Sequence, residues 1–205
     1  MILVKLGLLL VGFIYAGLLP FTVRRTLQHL NFNLKKETLS FLSNKYLYDE
    51  KYVSGYKRIL FIAALLNYSF FWLLSRLYNL GENVGYMRHA VLCFALLTFL
   101  AFIPHNILPY SLLKRPGATL QRLLHNILGM VVFLMLPILS IIFQVLIIKE
   151  MFFLGISGLI IITSVVIISF YSLFKNGITG VTEILFINGI CIWTIYITIY
   201  TFVVL

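Results

Sequence analysis

Residues 123–174 read LLHNILGMVVFLMLPILSIIFQVLIIKEMFFLGISGLIIITSVVIISFYSLF. Two apolar runs, 123–148 and 151–174, are separated only by Lys149-Glu150. Each exceeds the ~20 residues a helix needs to cross ~30 Å of hydrocarbon. A charged dipeptide between two such runs marks a tight helical hairpin with its turn in water. Strands of a transmembrane barrel would alternate in character over ~10 residues, and these runs do not.

Working outward, four more runs of the same kind cover 2–23, 59–77, 90–113 and 184–205. Of the 205 residues 61% are hydrophobic and only 11% charged, which excludes a soluble domain of this length. The fold class is therefore an all-α integral membrane protein, a six-transmembrane-helix up-and-down bundle. It forms one transmembrane domain over 1–205, because the longest polar stretch, the basic loop 24–58, is too poor in apolar residues to fold alone. The first run resembles a signal peptide in having Lys5 before an apolar core. No small-x-small cleavage site follows it, so it reads as a retained span. Cys93 and Cys191 both fall inside runs, which excludes a disulfide framework and leaves them as buried free thiols.

The net charge of +10 would suggest nucleic acid in a soluble chain. Here the placement of the cations matters more, and no nucleic-acid partner is expected. With six spans, the first, third and fifth loops carry twelve of the 16 Lys and Arg residues. The positive-inside rule then puts those loops in the cytoplasm and both termini outside, in a multi-pass protein of the cell (inner, cytoplasmic) membrane. Within the first loop, Leu27, Leu30, Leu34, Phe41 and Leu42 fall near one helical face, with Arg24, Arg25, Lys35 and Lys36 mostly elsewhere. That pattern predicts an amphipathic helix lying in the head-group layer against anionic lipid. Tyr46, Tyr48, Tyr52 and Tyr56 then lead into the second span as an interfacial aromatic belt. Pro104 and Pro109 near the end of the third run, and Pro137 inside the fourth, predict kinks.

Two His-Asn pairs stand out: His105-Asn106 near the end of the third run and His125-Asn126 at the start of the fourth. These spans are antiparallel neighbours, so both pairs lie within about three turns of one face at 1.5 Å per residue. Polar side chains at that depth are expected to turn away from lipid. His125 should point into the bundle and hydrogen-bond Glu37, Ser40, His105 or Asn106.

Other motifs carry less. Gly155-Ile156-Ser157-Gly158 has the form of an intramembrane serine protease signature, but no histidine follows Ser157, and close packing through small residues explains it better. Lys114-Arg115-Pro116 matches only part of a phosphatase signature. No Cys/His run has zinc-ligand spacing and no glycine-rich phosphate loop occurs, so no metal site is expected. Asp49, Glu37, Glu50, Glu82, Glu150 and Glu183 lie in loops or at run edges, which disfavours a charge-coupled transporter.

Three short motifs give a resemblance. They are Glu37-Thr38-Leu39-Ser40-Phe41-Leu42 after the first span, Phe102-Ile103-Pro104 ending the third, and Leu124-His125-Asn126-Ile127 opening a fourth that runs to Leu136-Pro137. Together they resemble the bacterial domain-of-unknown-function family 998 (DUF998), uncharacterised six-span proteins distantly similar to the Frag/DRAM/Sfk membrane proteins. That family has Asp and Leu-Gly where this chain has Glu37 and Leu42-Ser43, and its first loop is extracytoplasmic. The resemblance implies the six-span fold more than any activity.

Both lines place Glu37, Ser40, His105, Asn106, His125 and Asn126 at one end of the bundle as a candidate polar cluster. The leading reading is a non-catalytic membrane protein that binds or organises lipid, or serves as a subunit beside partner membrane proteins. An intramembrane lipid hydrolase or transferase would use Glu37, Ser40, His105 and His125 as acid, base or metal ligands. A haem b protein would use His105 and His125 as axial ligands. No catalytic residue and no cofactor is assigned beyond these alternatives.

Overall fold

The computed structural model describes residues 1–30, 32–80, 83–105 and 116–204, with the backbone alone for residues 84 and 116–119. Among these residues there is no strand. Helix α1 (Ile2–Phe13) passes through a π-helical turn (Ile14–Leu18) into α2 (Leu19–His29). The wide turn has a local cause. Pro20 has no N–H to give the Ala16 carbonyl, and its ring would press on it; the chain widens, and the Leu19 N–H bonds the Ile14 carbonyl five residues back. The first apolar run and the basic residues beyond it thus form one continuous rod.

The remaining helices are α3 (Glu50–Leu77), α4 (Val84–Phe102), α5 (Pro116–Ile147), α6 (Phe152–Asn176) and α7 (Gly180–Val204). With the α1–α2 rod they make six helices long and apolar enough to cross a membrane. Helix α3 starts at Glu50, well before the apolar run at 59, because a helix continues through polar turns once nucleated and Glu50 suits its positive N-terminus. Helix α4 ends at Phe102, where the sequence predicted a kinked span reaching 113. Pro104 forces the residue before it out of the helical region, and Ile103 is extended at φ −102°, ψ 96°. Pro109 lies outside the described residues. Pro137 is accommodated inside α5.

Consecutive helices from α3 to α7 are neighbours, and α1 packs on both α3 and α7, which closes the six into a ring. Its centre is filled by aromatic side chains: Phe70 and Phe71 of α3, Tyr86 of α4, Phe143 of α5 and Trp193 of α7, all essentially without exposure. Phe71 stacks on Trp193 at 5.8 Å, and Phe143 meets Trp193 edge-on at 6.1 Å. Gln144 is one of the polar side chains buried in this core. The Gln144 amide donates to the Leu154 carbonyl at 3.0 Å and the Gly155 carbonyl at 3.2 Å, and its oxygen accepts the Trp193 indole N–H at 3.0 Å. A Cβ at Gly158 would collide with the Gln144 amide, and one at Gly155 would lie 2.8 Å from the Ile148 Cα. The protease-like Gly-x-Ser-Gly stretch is therefore a packing motif for the α5–α6 hairpin. Cys93 and Cys191 are free and buried.

The first loop departs from expectation. No single amphipathic helix covers it: α2 stops at His29, a turn follows, and Leu39–Ser43 forms a 3-10 helix. Leu27, Leu39 and Leu42 are buried together beneath Leu34, Tyr48, Tyr56, Ile184 and Ile187, so the apolar face packs on α3 and α7 and not on lipid. Backbone bonding explains the choice. The first N–H groups of a helix have no internal acceptor, and here the Glu37 and Leu34 carbonyls accept from Gly180 (2.8 Å) and Val181 (3.1 Å) at the start of α7.

Candidate functional site

At the end of the bundle bearing the first loop, polar side chains gather in three places. The first is the imidazole pair. His105 follows the α4 terminus, and His125 stands on α5; they are 6% and 1% exposed. Their rings meet edge to face with centroids 5.3 Å apart, and the Phe41 ring packs on His105 at 5.2 Å. The His105 backbone N–H donates to the Ser43 hydroxyl at 2.7 Å, and that hydroxyl donates to the Ser40 carbonyl at 2.7 Å. His125 bonds the Ile103 carbonyl through Nδ1. A carbonyl can only accept, so Nδ1 carries the proton. That leaves His125 Nε2, like His105 Nδ1, buried without a hydrogen-bond partner among the described residues. Burial, and then the nearby charges of His125 and Arg122, lower the His105 imidazole to about 4.

Thus His125 points inward as expected, but its partner is the Ile103 carbonyl that Pro104 frees at the end of α4, not a side chain of Glu37, Ser40 or His105. Asn106 lies outside the described residues. Asn126 is exposed, with its side chain beside His105.

The second place is the underside of the loop. Glu37 folds back on its own turn, accepting the Asn33 N–H at 3.1 Å and the Tyr48 hydroxyl at 3.4 Å. Burial, and then the Glu37 charge, push the Tyr48 phenol up to about 12. The Leu39 N–H donates to the Glu183 carboxylate at 2.5 Å, and Tyr56 sits between Glu183 and the Ser40 side chain. Glu37 and Ser40 therefore do not join the imidazoles. Ser40 reaches that side only through its carbonyl and Ser43. Sequence reading missed Glu183, Tyr56 and Ser43. Glu183 was visible as an acid at the edge of an apolar run, but nothing local pointed to a partner 144 residues away.

The third place is a surface cleft of about 470 Å³ lined by Phe21, Arg24, Arg25, Gln28 and His29 of α2. Arg24 donates to the Asn188 side-chain oxygen of α7 at 2.7 Å, which holds its guanidinium across the helix pair. Lys35 and Lys36 are exposed in the turn beyond and do not line the cleft.

This geometry narrows the chemistry. Two rings in edge-to-face contact leave no gap for a porphyrin held between them, so the pair does not fit a bis-histidine haem. Among the described residues no three His, Cys, Asp or Glu side chains converge as metal ligands. Neither imidazole hydrogen-bonds an acid, so neither is oriented as the base of a triad. Comparison with known protein families, curated proteins and solved structures finds no match for this chain.

Proposed function

We propose that the chain is a non-catalytic integral membrane protein that binds and organises lipid at the end carrying its first loop, alone or as a subunit of a larger membrane complex. The observation behind this reading is the continuous α1–α2 rod, which carries Arg24 and Arg25 one turn beyond the exposed, lipid-compatible Phe21. Cations at that level of a spanning helix meet phosphate groups of a bilayer. The ring interior is filled by packed aromatic side chains, Ser43 ties the loop to His105 after α4, and the Leu34, Glu37 and Leu39 backbone groups tie it to α7. The Lys and Arg asymmetry supports a cytoplasmic position for this end and residence in the inner membrane. The resemblance to DUF998 belongs to the same proposal: its Ser40 and Phe41 lie in the 3-10 turn, and its Pro104 adjoins His105.

A second reading, an intramembrane lipid hydrolase or transferase, draws on the two unpartnered imidazole nitrogens alone. Purification in mild detergent, followed by mass spectrometry of retained lipid and melting with and without added bilayer lipid, tests the first. Retained lipid and a higher melting temperature are expected. A chain that holds no lipid and melts identically in detergent and bilayer is not a lipid-binding protein.

A further inference from the structure

We infer that the α2 cleft is a specific site for the phosphodiester of one anionic phospholipid, an inference that rests on the lipid-binding reading and names its ligand class. Four observations carry it. The cleft is large enough for a head group, and its lining holds two guanidiniums, an imidazole and an amide with no carboxylate. Arg24 is already fixed by Asn188 through one nitrogen, which leaves other donors of its fork for an oxyanion without the entropy of ordering a free side chain. Arg25 is exposed and makes no hydrogen bond or ion pair within the described residues, so its charge is uncompensated. Phe21 is 59% exposed one turn toward the apolar end of the rod, where the acyl chains of a lipid held by Arg24 and Arg25 would run.

The arrangement differs from a merely basic loop. Positions 21, 24, 25, 28 and 29 follow the i, i+3, i+4, i+7, i+8 spacing of one helical face. The opposite face, with Val23 and Leu27, is packed under the first loop. One stripe therefore runs along the rod from an apolar ring to paired cations, which matches the order of tail and phosphate in a lipid. Lys35 and Lys36 lie off this stripe and contribute only diffuse attraction.

The test is a native mass-spectrometric titration of the full chain with phosphatidylglycerol and with phosphatidylcholine, alongside Arg24→Gln, Arg25→Gln and the control Lys175→Gln, an exposed cation outside the cleft lining. One phosphatidylglycerol should bind tightly to wild type and to Lys175→Gln. Its affinity should fall about tenfold in each arginine variant, as expected for a lost charge-assisted bond. Phosphatidylcholine binding should be unchanged. Equal phosphatidylglycerol affinity in all four proteins overturns the site while leaving general lipid binding intact. Absence of binding by either lipid to wild type sinks the lipid-binding reading itself. Displacement of the lipid by millimolar inorganic phosphate would overturn the assignment to a lipid by showing a free-anion site. Arg25→Lys keeps the charge and guards against misfolding: it should retain most of the affinity, and complete loss in a protein with wild-type melting also contradicts a charge-based site.

Discussion

The amide of Leu39 donates to the carboxylate of Glu183, joining the first loop to the first turn of the last helix. The bond is one of three in the same place, since Glu37 and Leu34 accept from Gly180 and Val181. Loop and helix terminus satisfy each other's orphan groups in both directions. Glu183→Ala leaves the Leu39 N–H unbonded and should cost about 1–3 kcal/mol. Glu183→Gln keeps an oxygen acceptor and should cost less. Unfolding of the two variants in detergent checks the order, and equal losses would mean the bond contributes nothing.

Gly180 brings the start of α7 directly against the backbone of the first loop. A Cβ there would lie 2.7 Å from the Glu37 carbonyl oxygen, while one at Gly129 meets nothing within 4 Å. Gly180→Ala should destabilise by about 1–3 kcal/mol through overpacking. Gly129→Ala should be neutral or stabilise by up to about 1 kcal/mol through helix propensity. Paired melting curves decide it, and a harmless Gly180→Ala would show that the loop is not seated on α7.

His105 gives a pH dependence with a definite sign. Its ring is lowered to about 4 from an ordinary 6.5, first by burial and then by His125 and Arg122. The unfolded chain therefore takes up this proton first on acidification. Stability is full above pH 6.5 and declines between 6.5 and 4, by up to about 3 kcal/mol at the foot of that window. Midpoints measured across the window should fall, and His105→Gln should flatten the slope. A wild type indifferent to pH there would place His105 in water.

His125→Ala removes the donor to the Ile103 carbonyl and opens a gap against His105. The loss should be about 1–3 kcal/mol, against little for the exposed neighbour Leu124→Ala. Similar stability of the two variants would place His125 outside the packed pair.

Orientation follows from the basic loop. Cysteines at Lys45 and Lys149, both exposed at opposite ends of the bundle, should label from inside and from outside respectively in intact cells. Labelling at 45 from outside would reverse the topology.

The six long helices were legible because the length of an apolar run reports how much surface is fit to lie against lipid. Their ends were less so, because Glu50 and Lys51 continue a helix into water and Pro104 ends one where a kink was expected. Leu27, Leu39 and Leu42 show the deeper limit. A run of apolar residues says that a surface must be covered, but not whether lipid or Ile184 and Ile187 will cover it. His125 was placed inside because a polar ring in lipid is costly. Its partner was missed because a backbone carbonyl freed by Pro104 has no signature of its own. Glu183 was missed for a related reason: its role depends on residues that only the closed ring brings near.

Ring closure also sets an order of events in the making of the protein. Residues 34–39 leave the ribosome early, yet the amides and the carboxylate that complete them belong to residues 180–183. Until that last helix packs against it, the loop has the Leu34, Glu37 and Leu39 backbone groups open to water, and its Lys35-Lys36 turn, exposed throughout, is not yet held in place. Completion of the chain is thereby written into the fate of its first loop.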